Sequence, residues 1–250
     1  MLLSTPGLVL HTTPYADTSV VAKVFTRQLG VRSYIIKGVR GRGGRIKQNL
    51  LQPLSSLDMV VYNNEKTDLN YIKELSLRQS STVSSLHSLA LPCTPLHSPI
   101  ENALRFFMTE VLYKALREAE PMPALFDYVD ATTTHYPLPT THYPITFLLT
   151  VARHLGIEPL DNHSVREPYF DLQEGRFVSA PTETTLSPSL SEKLHQYLLS
   201  FHSPALLCTP LHSSLDERTA LINALLTYYH LHLSGFSHFH SHEILHTILK

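Results

Sequence analysis

The chain has 250 residues, 43% of them hydrophobic and only 16% charged, with a net charge of -1 when its 16 histidines are neutral. That is enough apolar material for one large or two smaller cores. Two cysteines are too few for a disulfide scaffold, and no run of 18 apolar residues suggests a membrane span. The N-terminus lacks a basic n-region and is broken by Pro6 and Gly7, so it reads as a strand rather than a signal peptide, and a reducing cytoplasm is the expected compartment. The neutral total hides a split. Up to Arg78 eleven Lys and Arg face five Asp and Glu, a surplus of +6; beyond it nine face 16, a balance of -7. Two regions with different partners are expected.

Residues 1–78 predict β-structure. Gly7-Leu8-Val9-Leu10 is a short apolar run, and Ser19 to Thr26 is rich in β-branched residues. Leu29-Gly30 turns the chain into Val31–Ile36. Gly38 to Gly44 is a glycine- and arginine-rich loop, and Leu54–Tyr62 and Leu69–Leu77 supply two more strands, with helix left open for Tyr71 to Arg78. Five short strands with tight turns fit a small barrel of the OB type.

After Leu91 the period changes. Ser98-Pro99-Ile100-Glu101 reads as a capping box, and Ile100, Ala103, Leu104, Phe107, Val111, Leu112 and Ala115 then share one helical face. Glu101, Arg105, Lys114, Arg117 and Glu118 fall off that face. Pro121 and Pro123 open a shorter helix through Val129, and a Thr/Pro/His-rich loop covers 132–144. A buried helix spans Ile145 to Leu155 and stops at Gly156. Tyr169 to Val178 reads as a hairpin. Ser189 and Ser214 each begin a cap, for helices reaching about Phe201 and about Ser234, and a last helix is expected near Ser241 to Leu249. The fold class is therefore α+β: an N-terminal OB-fold barrel over 1–78, then a mostly helical domain over 79–250 with a hairpin insertion near 165–180.

The basic segment carries the chemistry. Lys23, Arg27, Arg32, Lys37, Arg40, Arg42, Arg45 and Lys47 lie in a stretch without Asp or Glu from Thr18 to Leu57. Eight cations without counter-charge repel one another unless a polyanion screens them. Tyr34 sits among them as a candidate for stacking on a base. DNA contact through these nine residues is weighed against a merely solvated barrel face. The glycine cluster at 41–44 is no nucleotide cradle, because it lacks Gly-Lys-Ser/Thr and the spacing of a dinucleotide fingerprint.

Other motifs read as structural. His242-Glu243-Ile244-Leu245-His246 matches HExxH, yet only four residues follow it, leaving no room downstream for a third ligand. Cys93/His97 and Cys208/His212 repeat a Cys-x3-His spacing; two pre-helix turns explain it better than a Cys2His2 zinc site. His238, His240 and His242 alternate, as surface or hydrogen-bonded histidines more than as a ligand set. No catalytic residue, metal site or cofactor is assigned, and a non-enzymatic protein is expected.

The sequence also resembles a known family. Gly7–Leu10, Tyr15, Asp17 with Ser19-Val20-Val21, Phe25-Thr26, Gly30, Lys37-Gly38-Val39-Arg40 and Leu51-Gln52-Pro53-Leu54 resemble the N-terminal pattern of the recombination mediator RecO. Leu69 with Ile72-Lys73-Glu74, Leu155-Gly156-Ile157-Glu158-Pro159-Leu160, and Tyr228-Tyr229 through Leu245 resemble its later parts. The resemblance implies an OB-fold, binding of single- and double-stranded DNA, strand annealing, and help in loading RecA onto DNA coated by single-stranded DNA-binding protein (SSB). The implied partners are RecR and the SSB C-terminal tail, with RecA reached indirectly, in a cytoplasmic, nucleoid-associated setting. One departure stands out. Many members carry a four-cysteine zinc module after the Leu-Gly-x-x-Pro step, whereas Asp161 to Pro181 holds no cysteine, so Tyr169, Phe170 and Phe177 are expected to replace metal by packing. The competing readings are a scaffold whose basic face docks an acidic protein without DNA contact, and a zinc hydrolase built on His242, Glu243 and His246.

Overall fold

A computed structural model describes residues 1–39, 48–64, 67–78, 99–134, 142–202, 213–236 and 239. The chain divides into two compact units, Met1–Leu138 and Pro139–Lys250. The first contains a closed five-stranded barrel of β1 (Leu2–Tyr15), β2 (Ser19–Thr26), β3 (Gly30–Ile36), β4 (Ser56–Tyr62) and β5 (Leu69–Leu77), in the order β1-β2-β3-β5-β4. All pairings are antiparallel except β3 with β5. The α+β class and the OB-like barrel read from the sequence are borne out, and Tyr71 to Leu77 is strand rather than helix.

β1 is much longer than its apolar run. Leu2–Leu8 pairs with β4 and Gly7–Tyr15 with β2, so one strand closes the barrel from both sides, bending at an irregularity between Val9 and His11. Pro6 fits because its carbonyl still accepts from the Arg27 N–H at 3.2 Å. Gly7 fits because a Cβ there would lie 2.4 Å from Met59 Cε and 2.6 Å from Val24 Cγ1. The interior is packed by Val9, Ala22, Val24, Tyr34, Ile36, Met59 and their neighbours.

The outer wall is apolar too, and two helices explain why. α1 (Pro99–Ala115) packs on β1, and α2 (Pro123–Thr134) packs on β4. Leu8 and Phe25 alternate with the interior residues Val9 and Val24, face outward, and are nevertheless fully buried. Phe25 meets Phe126 of α2 edge-on at 5.5 Å. Burying each such side chain is worth about 1.5–3 kcal/mol. The segment after α1 also joins the barrel: the Ala119 N–H donates to the Val31 carbonyl at 3.0 Å, and Val31 bridges to Glu118. Gly30, at φ +66°, lies so close that a Cβ would sit 2.4 Å from the Glu120 carbonyl oxygen. The compact unit thus extends past the domain end expected at 78, taking in both helices.

The expected apolar face of α1 is buried at Ala103, Leu104, Phe107, Val111, Leu112 and Ala115. Glu101, expected off that face, is buried as well. Its carboxylate faces the charge of Arg105, whose guanidinium donates to the Thr133 carbonyl of α2 at 2.9 Å. α2 runs one and a half turns beyond Val129, into the stretch expected to be loop.

The second unit holds α3 (Tyr143–His154), the hairpin β6 (Tyr169–Asp171) and β7 (Arg176–Val178), α4 (Pro188–His202) and α5 (Leu215–His232). The Ser214/Glu217 capping box of α5 is present as read. α4 is capped by Ser187 instead of Ser189; its hydroxyl accepts from Leu190 N–H at 3.3 Å, and Ser189 lies inside the helix. Tyr229 is fully buried and donates to the Leu148 carbonyl at 2.6 Å, tying α5 to α3.

The cysteine-free hairpin is held in two ways. Phe170 and Phe177 are fully buried and meet edge-to-face at 5.1 Å, while Tyr169 is only partly covered. Polar side chains add what packing alone was expected to supply. Asn162 both accepts from Phe177 N–H at 2.8 Å and donates to its carbonyl at 3.0 Å, acting as a strand neighbour. Asp171 accepts from the backbone of Gln173 and Glu174 and from the hydroxyls of Thr182 and Thr184, at 2.7–3.1 Å. Burial pushes its carboxyl up, but those four hydrogen bonds together outweigh it and hold the group below the usual carboxylate range.

Candidate nucleic-acid interface

Of the nine residues expected to contact DNA, five lie in the described barrel. Lys23, Arg27, Arg32, Tyr34 and Lys37 are placed; Arg40, Arg42, Arg45 and Lys47 fall outside the described residues. The placed residues do not form one bare cationic face.

Lys23 and Arg27 have counter-charges. The Lys23 ammonium lies 2.7 Å from Glu118, just past α1, and 4.9 Å from the centre of the Tyr113 ring. Arg27 reaches Asp127 of α2 through two parallel hydrogen bonds, Nε to Oδ1 and Nη2 to Oδ2, both 2.8 Å. The pair raises the Arg27 pKa and holds the Asp127 carboxyl below its ordinary range, chiefly through that shared hydrogen bonding. Both pairs are exposed enough for water and salt to weaken them. Asp130, one turn along α2, accepts from the Ser56 hydroxyl at 2.6 Å and lies 3.4 Å from Arg78. The sequence view that this stretch lacks counter-charge holds locally but not in space.

Tyr34 is a correction. Its side chain is 1% exposed and packs inside the barrel, so it cannot receive a base. Strand alternation explains this: Arg32, Tyr34 and Ile36 share one face of β3, and that face points inward. Burial pushes the Tyr34 phenol up to about 12, opposed by the nearby Arg32 charge. Among the described residues its hydroxyl and the Arg32 Nε are buried without a hydrogen-bond partner.

Lys37 is different. It is exposed at the end of β3, and its ammonium lies 5.0 Å from the centre of the Tyr71 ring on β5. Tyr71 was not singled out by sequence reasoning. The available signal was period-2 alternation along β5, which sets Tyr71 opposite in facing to the inward Ile72.

No group of three His, Cys, Asp or Glu among the described residues is arranged to hold a metal ion. The His163 and His195 rings lie 4.4 Å apart, tilted by 30°, and His195 shares a 2.6 Å hydrogen bond with Asp161. The Cys93/His97 and Cys208/His212 pairs, the alternating His238 and His240, and the HExxH motif at His242 to His246 lie outside the described residues. No described helix is long and apolar enough to cross a membrane.

The family model for the N-terminal part of recombination protein O matches residues 1–81, which contain all five barrel strands. Similarity to curated RecO proteins runs along nearly the whole chain. The DNA repair protein RecO of Azobacteroides pseudotrichonymphae is 27% identical over 256 residues, covering 99% of each chain. Those of Porphyromonas gingivalis (strain W83) and Flavobacterium johnsoniae are 29% and 26% identical, covering 99% and 100% of each chain. The resemblance read from the residues is therefore borne out across the RecO length, second unit included.

Proposed function

We propose that this chain is a non-enzymatic recombination mediator of RecO type that binds single- and double-stranded DNA and anneals complementary strands. In this reading it also helps load RecA onto SSB-coated strands, working with RecR and with the SSB C-terminal tail. The observation that carries the proposal is the stretch from Lys37 to Lys47. It holds Lys37, Arg40, Arg42, Arg45 and Lys47 without a carboxylate, and it joins β3 to the fourth strand of a RecO-like barrel. Lys23 and Arg27 are partly neutralised, so the phosphate contacts fall mainly to this stretch.

The decisive experiment measures oligonucleotide affinity and strand annealing across salt concentrations for the wild type and for Arg40→Glu/Arg42→Glu/Arg45→Glu. Affinity falls steeply with salt in the wild type and collapses in the variant. Normal DNA binding by the variant overturns the assignment. Binding of an acidic SSB tail with no DNA binding at low salt replaces it with a protein-docking scaffold.

A further inference from the structure

We infer that Tyr62 and Tyr71, flanked by Lys37, form a stacking platform for unpaired bases, a site specific to single-stranded nucleic acid. The inference rests on the DNA-binding reading above and places a sub-site within it.

The register of the barrel sets the row. Leu2 of β1 pairs with Tyr62 of β4, and Tyr62 pairs with Tyr71 of β5. Tyr71 pairs in turn with Ile35 of β3. Val61 and Ile72, the chain neighbours of the two tyrosines, point into the barrel, so both phenol rings point out. Residues directly opposite in a ladder hold their Cβ atoms about 5 Å apart, so the two phenols leave the sheet from neighbouring positions on its outer face.

What separates this row from the rest of the wall is its lack of cover. Leu8 and Phe25 are sealed under the helices, whereas Leu2, Tyr62 and Tyr71 are 46%, 47% and 46% exposed. A single exposed tyrosine is ordinary; three large apolar side chains in register across three adjoining strands form a patch. Flat rings, not aliphatic branches, dominate it.

Charge selects the occupant. The Lys37 ammonium stands over the Tyr71 ring, exposed and without a carboxylate partner among the described residues. Lys73, two residues on from Tyr71, is exposed and only loosely paired with Glu74 at 3.5 Å. Aromatic faces beside cations suit a strand that offers bases and phosphates together. A duplex keeps its bases stacked on each other and has no free π-face to give. Single strands therefore gain from this row and duplexes do not.

The chain contains no tryptophan, so Tyr71→Trp supplies a sole indole reporter on the platform. Oligo(dT) quenches its emission, and a duplex of equal length does not. Tyr62→Ala/Tyr71→Ala loses about tenfold in oligo(dT) affinity per ring removed and stays within about twofold for the duplex. Tyr62→Leu/Tyr71→Leu keeps apolar bulk and loses the same single-strand affinity. Each variant melts like the wild type, because the side chains stand at the surface. Wild-type oligo(dT) affinity in either double variant, or equal losses for oligo(dT) and duplex, overturns the platform and leaves the DNA-binding reading standing. So does loss of an apolar peptide ligand with DNA affinity unchanged. An unmutated chain that binds neither DNA form at low salt overturns both.

Discussion

Arg27 and Asp127 are 100 positions apart in sequence and meet through two parallel 2.8 Å hydrogen bonds. A cation held this way is withdrawn from any polyanion until the carboxylate lets go. Asp127→Asn removes the negative charge and frees Arg27. The expected result is a few-fold gain in oligonucleotide affinity at low salt. The slope of log affinity against log salt steepens by about 0.7–0.9 for the one extra ion. Arg27→Ala costs correspondingly less affinity than charge reversal at Arg40, Arg42 and Arg45. Titrations of the variants at three salt concentrations check both statements.

Tyr34→Phe removes a buried hydroxyl that has no hydrogen-bond partner among the described residues, while keeping the ring that fills the barrel. A stability gain of about 1 kcal/mol follows, seen as a rise of about 2–4 °C in the melting temperature. DNA affinity stays unchanged. A drop in affinity without a loss of stability would return Tyr34 to the binding surface.

Gly30→Ala forces a side chain into left-handed backbone and against the main chain of Glu120. The expected cost is about 2 kcal/mol or more, measured by denaturant unfolding. Gly38 also has positive φ, but a Cβ there meets nothing within 4 Å. Gly38→Ala therefore shows the conformational cost without the clash, and the difference isolates the contact with Glu120.

Asp171 makes the hairpin sensitive to acid. Its folded-state pKa is depressed, so the stability it contributes is complete above the unfolded carboxylate value of about 3.9 and is lost as pH falls through the lower folded value. Asp171→Asn keeps shape but gives up the charge. It lowers the melting temperature at pH 7, and the gap to the wild type narrows as melts are repeated toward pH 3.

Local pattern carried much of the first unit. β2 and β5 have the bounds expected from their runs, because each is a single β-rich stretch between turn residues. β1 outran its apolar core because Pro6 and Gly7 read as breakers, yet each fits a particular neighbour in the closed barrel. The facing of β3 was illegible for a different reason. Val31 and Ile35 on one side are as apolar as Tyr34 and Ile36 on the other, since both faces of the strand are buried, Val31 under the segment that follows α1. The site was harder still. Glu118 and Asp127 answer Lys23 and Arg27 only after long-range folding, and no window of sequence shows that neutralisation.

The Ala119 to Val31 hydrogen bond bears on the order of synthesis. A ribosome releases β1 to β5 well before the segment that lines β3 and the helices that seal Leu8 and Phe25. Until Thr134 has emerged, the nascent barrel shows water both an apolar wall and unsatisfied backbone on β3, the surfaces that chaperones and stray strands recognise. A fragment cut at Arg78 would be frozen in that state, so expression of the barrel as a separate piece should extend through α2.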